Sequence, residues 1–229
     1  MSENVQTFPV LGGALNAVER NKVLRNTYLL LAVSLLPTVL GVVVGMQTGA
    51  YALFRGGLGL IAFMGGAFAF MYAIEKTKNS AKGVAVLLAF TFFMGLVLSG
   101  LVTRVLGFSN GTSLLLTAFL GTAGVFGVMA TVASVIKRDL SGMGKWLFVG
   151  ALAVMVAAIV NVFVGSSAMM MAISALVVVI FSLYMLYDLK QIMDGGETNY
   201  ISATLALYMD IFNVFQGLLA LLGLGGSND

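Results

Sequence analysis

The chain has 229 residues, of which 60% are hydrophobic and 9% charged, and it contains neither cysteine nor histidine. Soluble domains carry about 25% charged residues, so this composition excludes a soluble globular protein and indicates an integral membrane protein. The net charge of +3 comes from basic residues outside or at the edges of apolar runs, which does not suggest nucleic-acid binding. Without histidine or cysteine, disulfides and thiolate metal sites are excluded, and a pH response inside the membrane must come from carboxylates.

The chain begins with a predicted polar cytoplasmic tail, residues 1–25, in which Glu3 and Glu19 argue against a cleavable signal peptide. Seven apolar segments follow, at 26–46, 52–74, 83–104, 112–136, 145–165, 168–189 and 200–223. Each is close to the roughly 20 residues that a helix needs to cross about 30 Å of hydrocarbon. Because the connections are short, residues 26–229 are predicted to form a single all-α domain, a seven-transmembrane-helix bundle.

The basic residues predict the orientation of the bundle. The tail and the connections after the second, fourth and sixth segments share one side and hold most of the Lys and Arg residues: Arg20, Lys22, Arg25, Lys76, Lys78, Lys82, Lys137, Arg138, Lys145 and Lys190. Only Arg55 and Arg104 fall on the other side. The N-terminus is therefore predicted in the cytoplasm and the C-terminus outside. A six-span alternative would return the C-terminus or make the last segment re-entrant, but that segment is long enough to span.

Small residues predict close helix packing in two segments. The second segment contains Gly56, Gly57, Gly59, Gly65 and Gly66, and the fourth has Ala123, Gly127 and Thr131 at four-residue spacing. A nucleotide-binding loop is not indicated, because these glycines lie inside apolar runs without a preceding strand or a Walker lysine.

The seventh segment carries small and polar residues at spacings of three and four, which places them on one helix face: Ala203, Ala206, Asp210, Asn213, Gly217 and Ala220. Asp210 lies about 15 Å from the inner end of this helix, near the middle of the membrane. An ionised Asp there costs about 2.5–3.5 kcal/mol, so it should be protonated, paired or hydrated. A functional role is favoured over a neutral Asp that merely bonds a Tyr or an Asn.

Asp188 lies one or two turns from the inner end of the sixth segment, where it could also be an ordinary hydrated acid. A symmetric hairpin at 195–198 leaves Asp188 and Asp210 offset by about 7 Å. If the offset closes, the two carboxylates would share one proton, sense pH and offer a weak calcium site. Asp194 and Glu197 flank Gly195-Gly196, a helix-stop signal, and are interpreted as loop acids facing the cytoplasm.

With these residues in place, the chain resembles the Bax inhibitor-1 (transmembrane Bax-inhibitor-motif) family. The similarity lies in the YMLYD of the sixth segment (184–188), the GGETNY connection (195–200) and LALYMDIFNVFQGLLALLG (205–223). NKVLRNTYLLL (21–31) is similar to the bacterial inner-membrane branch, which includes a modulator of the FtsH-type protease. The resemblance implies a bundle with helix seven at its centre and a pH-regulated calcium leak that uses Asp188 and Asp210. Channel members carry additional charge on helix two, which is uncharged here from Gly56 to Ile74.

Two functions are predicted. The first is a pH-sensitive calcium (cation) leak of the bacterial inner membrane, with Asp188 and Asp210 as the pH-sensing and ion-binding pair and with Asn213 and Gly217 in support. The alternative is a non-transporting modulator of a membrane AAA protease (FtsH-type) in membrane-protein quality control, contacted through the tail. An intramembrane aspartyl protease is disfavoured because Met209-Asp210 replaces GxGD and no PAL signature follows. No enzyme activity, cofactor or nucleic-acid partner is expected, Ca²⁺ enters only as a transported ion, and the oligomeric state stays open.

Overall fold

A computed structural model describes the backbone of residues 9–225 and the side chains of residues 17–225. These residues form seven helices that are long and apolar enough to cross a membrane, and they contain no strand. The helices are α1 (Pro9–Thr48), α2 (Gly56–Thr77), α3 (Ala81–Leu106), α4 (Gly111–Val135), α5 (Met143–Val164), α6 (Ser167–Asp194) and α7 (Tyr200–Gly225). The predicted all-α, multi-pass membrane fold is confirmed. The end of the bundle at which α1, α3, α5 and α7 begin is called the inner end, and the opposite one the outer end.

Several helix boundaries differ from the apolar segments. α1 begins at Pro9, so much of the predicted tail continues the first helix, while residues 1–8 lie outside the described part of the chain. Residues 50–54 form a short 3-10 helix, and α2 starts only at Gly56, whose φ of +68° suits glycine. α6 runs on to Asp194 and ends at Gly195 with φ +83°, where the helix-stop signal was predicted.

α7 lies at the centre of the bundle. It packs against α1, α2, α3, α4 and α6, and it is the most extensively buried of the described helices. α5 lies at the periphery and packs mainly on α6, with a smaller contact to α2. The central position implied for helix seven is confirmed. Because α7 is enclosed by other helices, Asp210 is surrounded by protein.

The closest helix contact joins α1 and α3, which pack on each other more extensively than any other pair. A Cβ added to Gly41 would collide with the carbonyl oxygen of Phe92, and one added to Gly95 would collide with the carbonyl oxygen of Thr38. The two backbones therefore touch directly, as in other membrane helix pairs built on small residues. The seam predicted on the fourth segment does not form at Gly127, where an added Cβ would meet nothing within 4 Å.

A buried polar cluster connects α7 to α1 and α3. The hydroxyls of Tyr208 and Thr38 hydrogen-bond at 2.9 Å, and the Tyr208 hydroxyl also lies 3.4 Å from the carbonyl oxygen of Thr91. Tyr208 is 1% exposed, so this hydroxyl would otherwise be left without partners in the protein interior. The cluster therefore fixes the rotation of α7, which in turn sets the direction of Asp210.

Candidate functional site

The two predicted aspartates lie on adjacent antiparallel helices. Asp210 is on α7, ten residues after the helix begins at Tyr200, and is 3% exposed. Asp188 is on α6, six residues before that helix ends at Asp194, and is half-buried. The difference of four residues corresponds to about 6 Å along the helix axes.

The carboxyl groups of Asp188 and Asp210 nevertheless lie within hydrogen-bonding range of each other. The reason is the direction of the side chains, because every Cα–Cβ bond tilts toward the N-terminus of its own helix. α6 runs toward the inner end and α7 away from it, so Asp188 leans toward the membrane centre and Asp210 toward the inner end. The two side chains therefore point toward each other, and this closes the axial offset between Asp188 and Asp210. Two carboxyl groups hydrogen-bond only when one of them carries a proton.

The pair is not fully satisfied by the protein. Oδ2 of Asp210 is buried, and no N–H or O–H group of the residues that the structure describes donates to it. Buried polar atoms in proteins nearly always have a partner, so an unpaired carboxylate oxygen at this depth indicates a place for a water molecule, a proton or a cation. A proton shared between the two carboxyl groups would satisfy such an oxygen atom.

A cavity of about 240 Å³ at the inner end leads to Asp188. Its walls come from the end of α6, the connection to α7 and the first turns of α7: Tyr187, Asp188, Gln191, Ile192, Gly196, Glu197, Ala203 and Ala206. Ala203 and Ala206 belong to the small face predicted on the seventh segment, and their short side chains leave this space open. The cavity thus gives access from the inner end to one half of the carboxyl pair.

Glu197 and Tyr187 are site residues that the sequence did not reveal. Glu197 was interpreted as a loop acid, but it lines the same cavity as Asp188, and its Oε1 accepts the backbone N–H of Asn199 at 2.7 Å. Tyr187 lines the cavity from α6, and its hydroxyl abuts α5 at Gly144, where an added Cβ would lie 2.8 Å away. The position of Glu197 three residues before α7 was the available signal, since it places this acid near the mouth of the hairpin.

The supporting residues differ in their roles. The Asn213 side chain donates to the carbonyl oxygen of Met209 at 2.7 Å, within its own helix, rather than to the aspartates. Gly217 lies where α7 approaches α6 closely, since an added Cβ would lie 2.9 Å from Val178 Cγ2 and 3.1 Å from the Ser174 carbonyl oxygen. Gly217 therefore permits the helix contact on which the carboxyl pair depends.

The side chains offer a sparse cation site. In the described part of the chain, no group of three or more Asp, Glu, His or Cys residues is arranged to hold a metal ion. Ca²⁺ takes six to eight oxygen ligands, so two carboxyl groups fit only weak binding, with water completing the shell.

Comparison with known proteins shows which family the chain belongs to. The family model described as "Inhibitor of apoptosis-promoting Bax1", Bax1-I, matches residues 20–228, which include all seven spans and both aspartates. The chain belongs to the Bax1-I family. The resemblance first recognised in the last two segments therefore extends over nearly the whole protein.

The relatives that the chain matches include several bacterial proteins. A Vibrio cholerae protein described as an uncharacterized membrane protein is 33% identical over 99% of this chain and 100% of its own length. An uncharacterized Neisseria meningitidis protein is 34% identical over 93% of this chain and 96% of its own. The Escherichia coli protein named Modulator of FtsH protease YccA is 34% identical over 89% of this chain and 90% of its own. Each match covers about nine-tenths or more of both chains.

Proposed function

We propose that this protein is a non-catalytic modulator of an FtsH-type membrane protease, located in the bacterial inner membrane. The observation that carries the proposal is the 34% identity, over nine-tenths of both chains, to a protein named as a modulator of FtsH protease. A multi-pass fold with a helical N-terminal extension on the predicted cytoplasmic side is compatible with such a role. Between the two functions predicted from the sequence, the comparisons favour this one over the calcium leak.

The test is reconstitution of the full chain with a purified FtsH-type protease in proteoliposomes that also contain a membrane-protein substrate. The protein is expected to change the initial rate of substrate degradation and to co-purify with the protease from mild detergent. Deleting residues 2–16, which leaves the candidate span Ala17–Thr48 intact, should weaken both effects if the extension is the contact. A matched deletion of residues 226–229 at the other terminus should leave them unchanged. An unaltered degradation rate together with no co-purification would refute the proposal.

A second candidate function, the pH-sensitive cation leak, is favoured by one specific observation. Asp188 and Asp210 are within hydrogen-bonding range, no N–H or O–H group of the described residues donates to Oδ2 of Asp210, and Asp188 lines a cavity at the inner end. A shared proton and a passing cation would compete for the same oxygen atoms, so proton binding would oppose ion binding. This competition would couple flux to pH without any further titrating group.

Calcium flux into indicator-loaded liposomes between about pH 6 and about pH 8 tests the leak. Asp188→Asn and Asp210→Asn are each expected to weaken the pH dependence and to shift its midpoint, because the remaining carboxyl group titrates alone beside an amide that can donate to it. Asp139→Asn is the matched control at the inner end, since bonds from the Ser141 backbone N–H and hydroxyl lower the pKa of Asp139 and keep it ionised throughout. A calcium flux that does not depend on pH and does not change with either aspartate substitution would refute the proposed leak function.

A further inference from the structure

Two arginines line the same cavity at the outer end of the bundle, where the described residues hold no other Lys or Arg. Arg55 lies between the 3-10 helix Ala50–Phe54 and α2, and Arg104 lies in the last turn of α3. They are 49 positions apart in sequence (104 − 55), yet both line one cavity of about 400 Å³. Its remaining walls are formed by Tyr51, Phe54, Val97, Gly100, Leu101 and Thr103.

The described residues place no acid beside these arginines. The ion pairs among them, Lys78–Glu75 and Lys190–Asp194, both lie at the inner end. The described acids lie at that end or, in the case of Asp210, within the bundle: Glu19, Glu75, Asp139, Asp188, Asp194, Glu197 and Asp210. Asp229 lies beyond the described residues. Two like charges that face one cavity repel each other, and an anion between them removes that repulsion.

The chemistry of the cavity walls selects the type of anion. Arginine presents several N–H donors in a planar fork that matches the oxygen atoms of a phosphate group. Phe54, Val97 and Leu101 add an apolar wall beside these donors, which a freely soluble ion would not require. Tyr51 supplies an amphipathic ring of the kind found where membrane proteins meet lipid head groups.

We propose that the Arg55–Arg104 cavity binds the phosphate group of an anionic phospholipid in the outer leaflet. The cavity lies where α1 and α3 end and α2 begins, which is the level of the lipid head groups if the helices span the bilayer. The phosphate lies between the two guanidinium groups, and the glycerol and upper acyl chains lie along the apolar wall. This inference is independent of the protease and leak proposals.

The experiment measures lipid binding to the purified full chain by native mass spectrometry, with phosphatidylglycerol and phosphatidylcholine of the same acyl composition. Phosphatidylglycerol is expected to bind about tenfold more tightly, and Arg55→Gln or Arg104→Gln should each remove about that factor, since each deletes charge-assisted hydrogen bonds. Arg138→Gln, an equivalent substitution in the connection before α5 at the inner end, is the matched control and should bind like the parent chain. Arg55→Lys and Arg104→Lys keep the charge but not the fork, and intermediate affinity is expected for both.

A parallel titration with inorganic phosphate separates the two sources of the phosphate group. If phosphate alone binds with the same dependence on Arg55 and Arg104 while the lipid binds no better, the cavity is a soluble-anion site and the lipid assignment is overturned. If the double Gln variant retains the preference for phosphatidylglycerol, the cavity has no part in it. Melting curves recorded without added lipid identify a Gln variant that has lost its fold. In that case the lipid affinities of Arg55→Lys and Arg104→Lys decide whether the cavity binds the phosphate group.

Discussion

Gly95→Ala tests the direct contact between the backbones of α1 and α3. The added Cβ would collide with the Thr38 carbonyl oxygen and lie 2.9 Å from its carbon and 3.0 Å from the Cα of Gly41. Carbon atoms pack best at about 3.5–4.0 Å, so the helices must separate by roughly 1 Å. No side-chain rotation relieves this clash, because the atoms it meets are backbone. Overpacking of this kind costs about 1–3 kcal/mol of the free energy of unfolding.

The matched control is Gly127→Ala in α4, where the added Cβ meets nothing within 4 Å. Both substitutions replace a mid-helix glycine and share the gain of about 0.5–1 kcal/mol from reduced backbone freedom. The stability difference between the two variants, measured by reversible unfolding in mixed micelles, therefore isolates the packing cost of about 1–3 kcal/mol. Equal stabilities would refute the close α1–α3 contact. The double variant Gly41→Ala/Gly95→Ala should lose less stability than the sum of the two single losses. One separation of α1 from α3 relieves both clashes, because they lie at the same helix crossing.

Three further substitutions test the core and the site by the same unfolding measurement. Tyr208→Phe should cost about 1 kcal/mol by removing the bond to Thr38, and should cost less when Thr38 is already Val. Asn199→Ala should cost about 1 kcal/mol, because the Asn199 side chain accepts the N–H groups of the first turn of α7, whereas Asn199→Asp keeps that acceptor. Asp210→Asn should be more stable than Asp210→Ala by about 1–3 kcal/mol, since the amide can still donate to Asp188; the reverse order would contradict the contact between the two side chains.

The number of helices could be predicted from the sequence because the thickness of the hydrocarbon core sets the length of each apolar segment that spans it. The helix ends could not, since a helix continues past the hydrocarbon wherever its polar residues support it. α6 shows this clearly: Lys190 and Asp194 lie beyond the apolar segment, but they pair at 3.0 Å across one helical turn and extend the helix. α1 likewise continues before residue 26, since it begins at Pro9.

The candidate site was predicted in part. The depth of Asp210 and the small face around it were visible in one helix, whereas its contact with Asp188 depends on two. The sequence estimate of a 7 Å offset treated the side chains as perpendicular to the helix axes and so omitted their convergent tilt. The α1–α3 contact was missed for a related reason, because Gly41 and Gly95 reveal a seam only when it is known which helices pack together.

The peripheral position of α5 gives the protein an optical reporter of its own. The single tryptophan of the chain, Trp146, is 79% exposed in the first turn of α5. Two residues earlier, Gly144 abuts the hydroxyl of Tyr187, which lines the cavity beside Asp188. A displacement of α6 at the carboxyl pair would therefore shift the start of α5 relative to the lipid. Trp146 fluorescence in unlabelled protein would register that displacement as it happens.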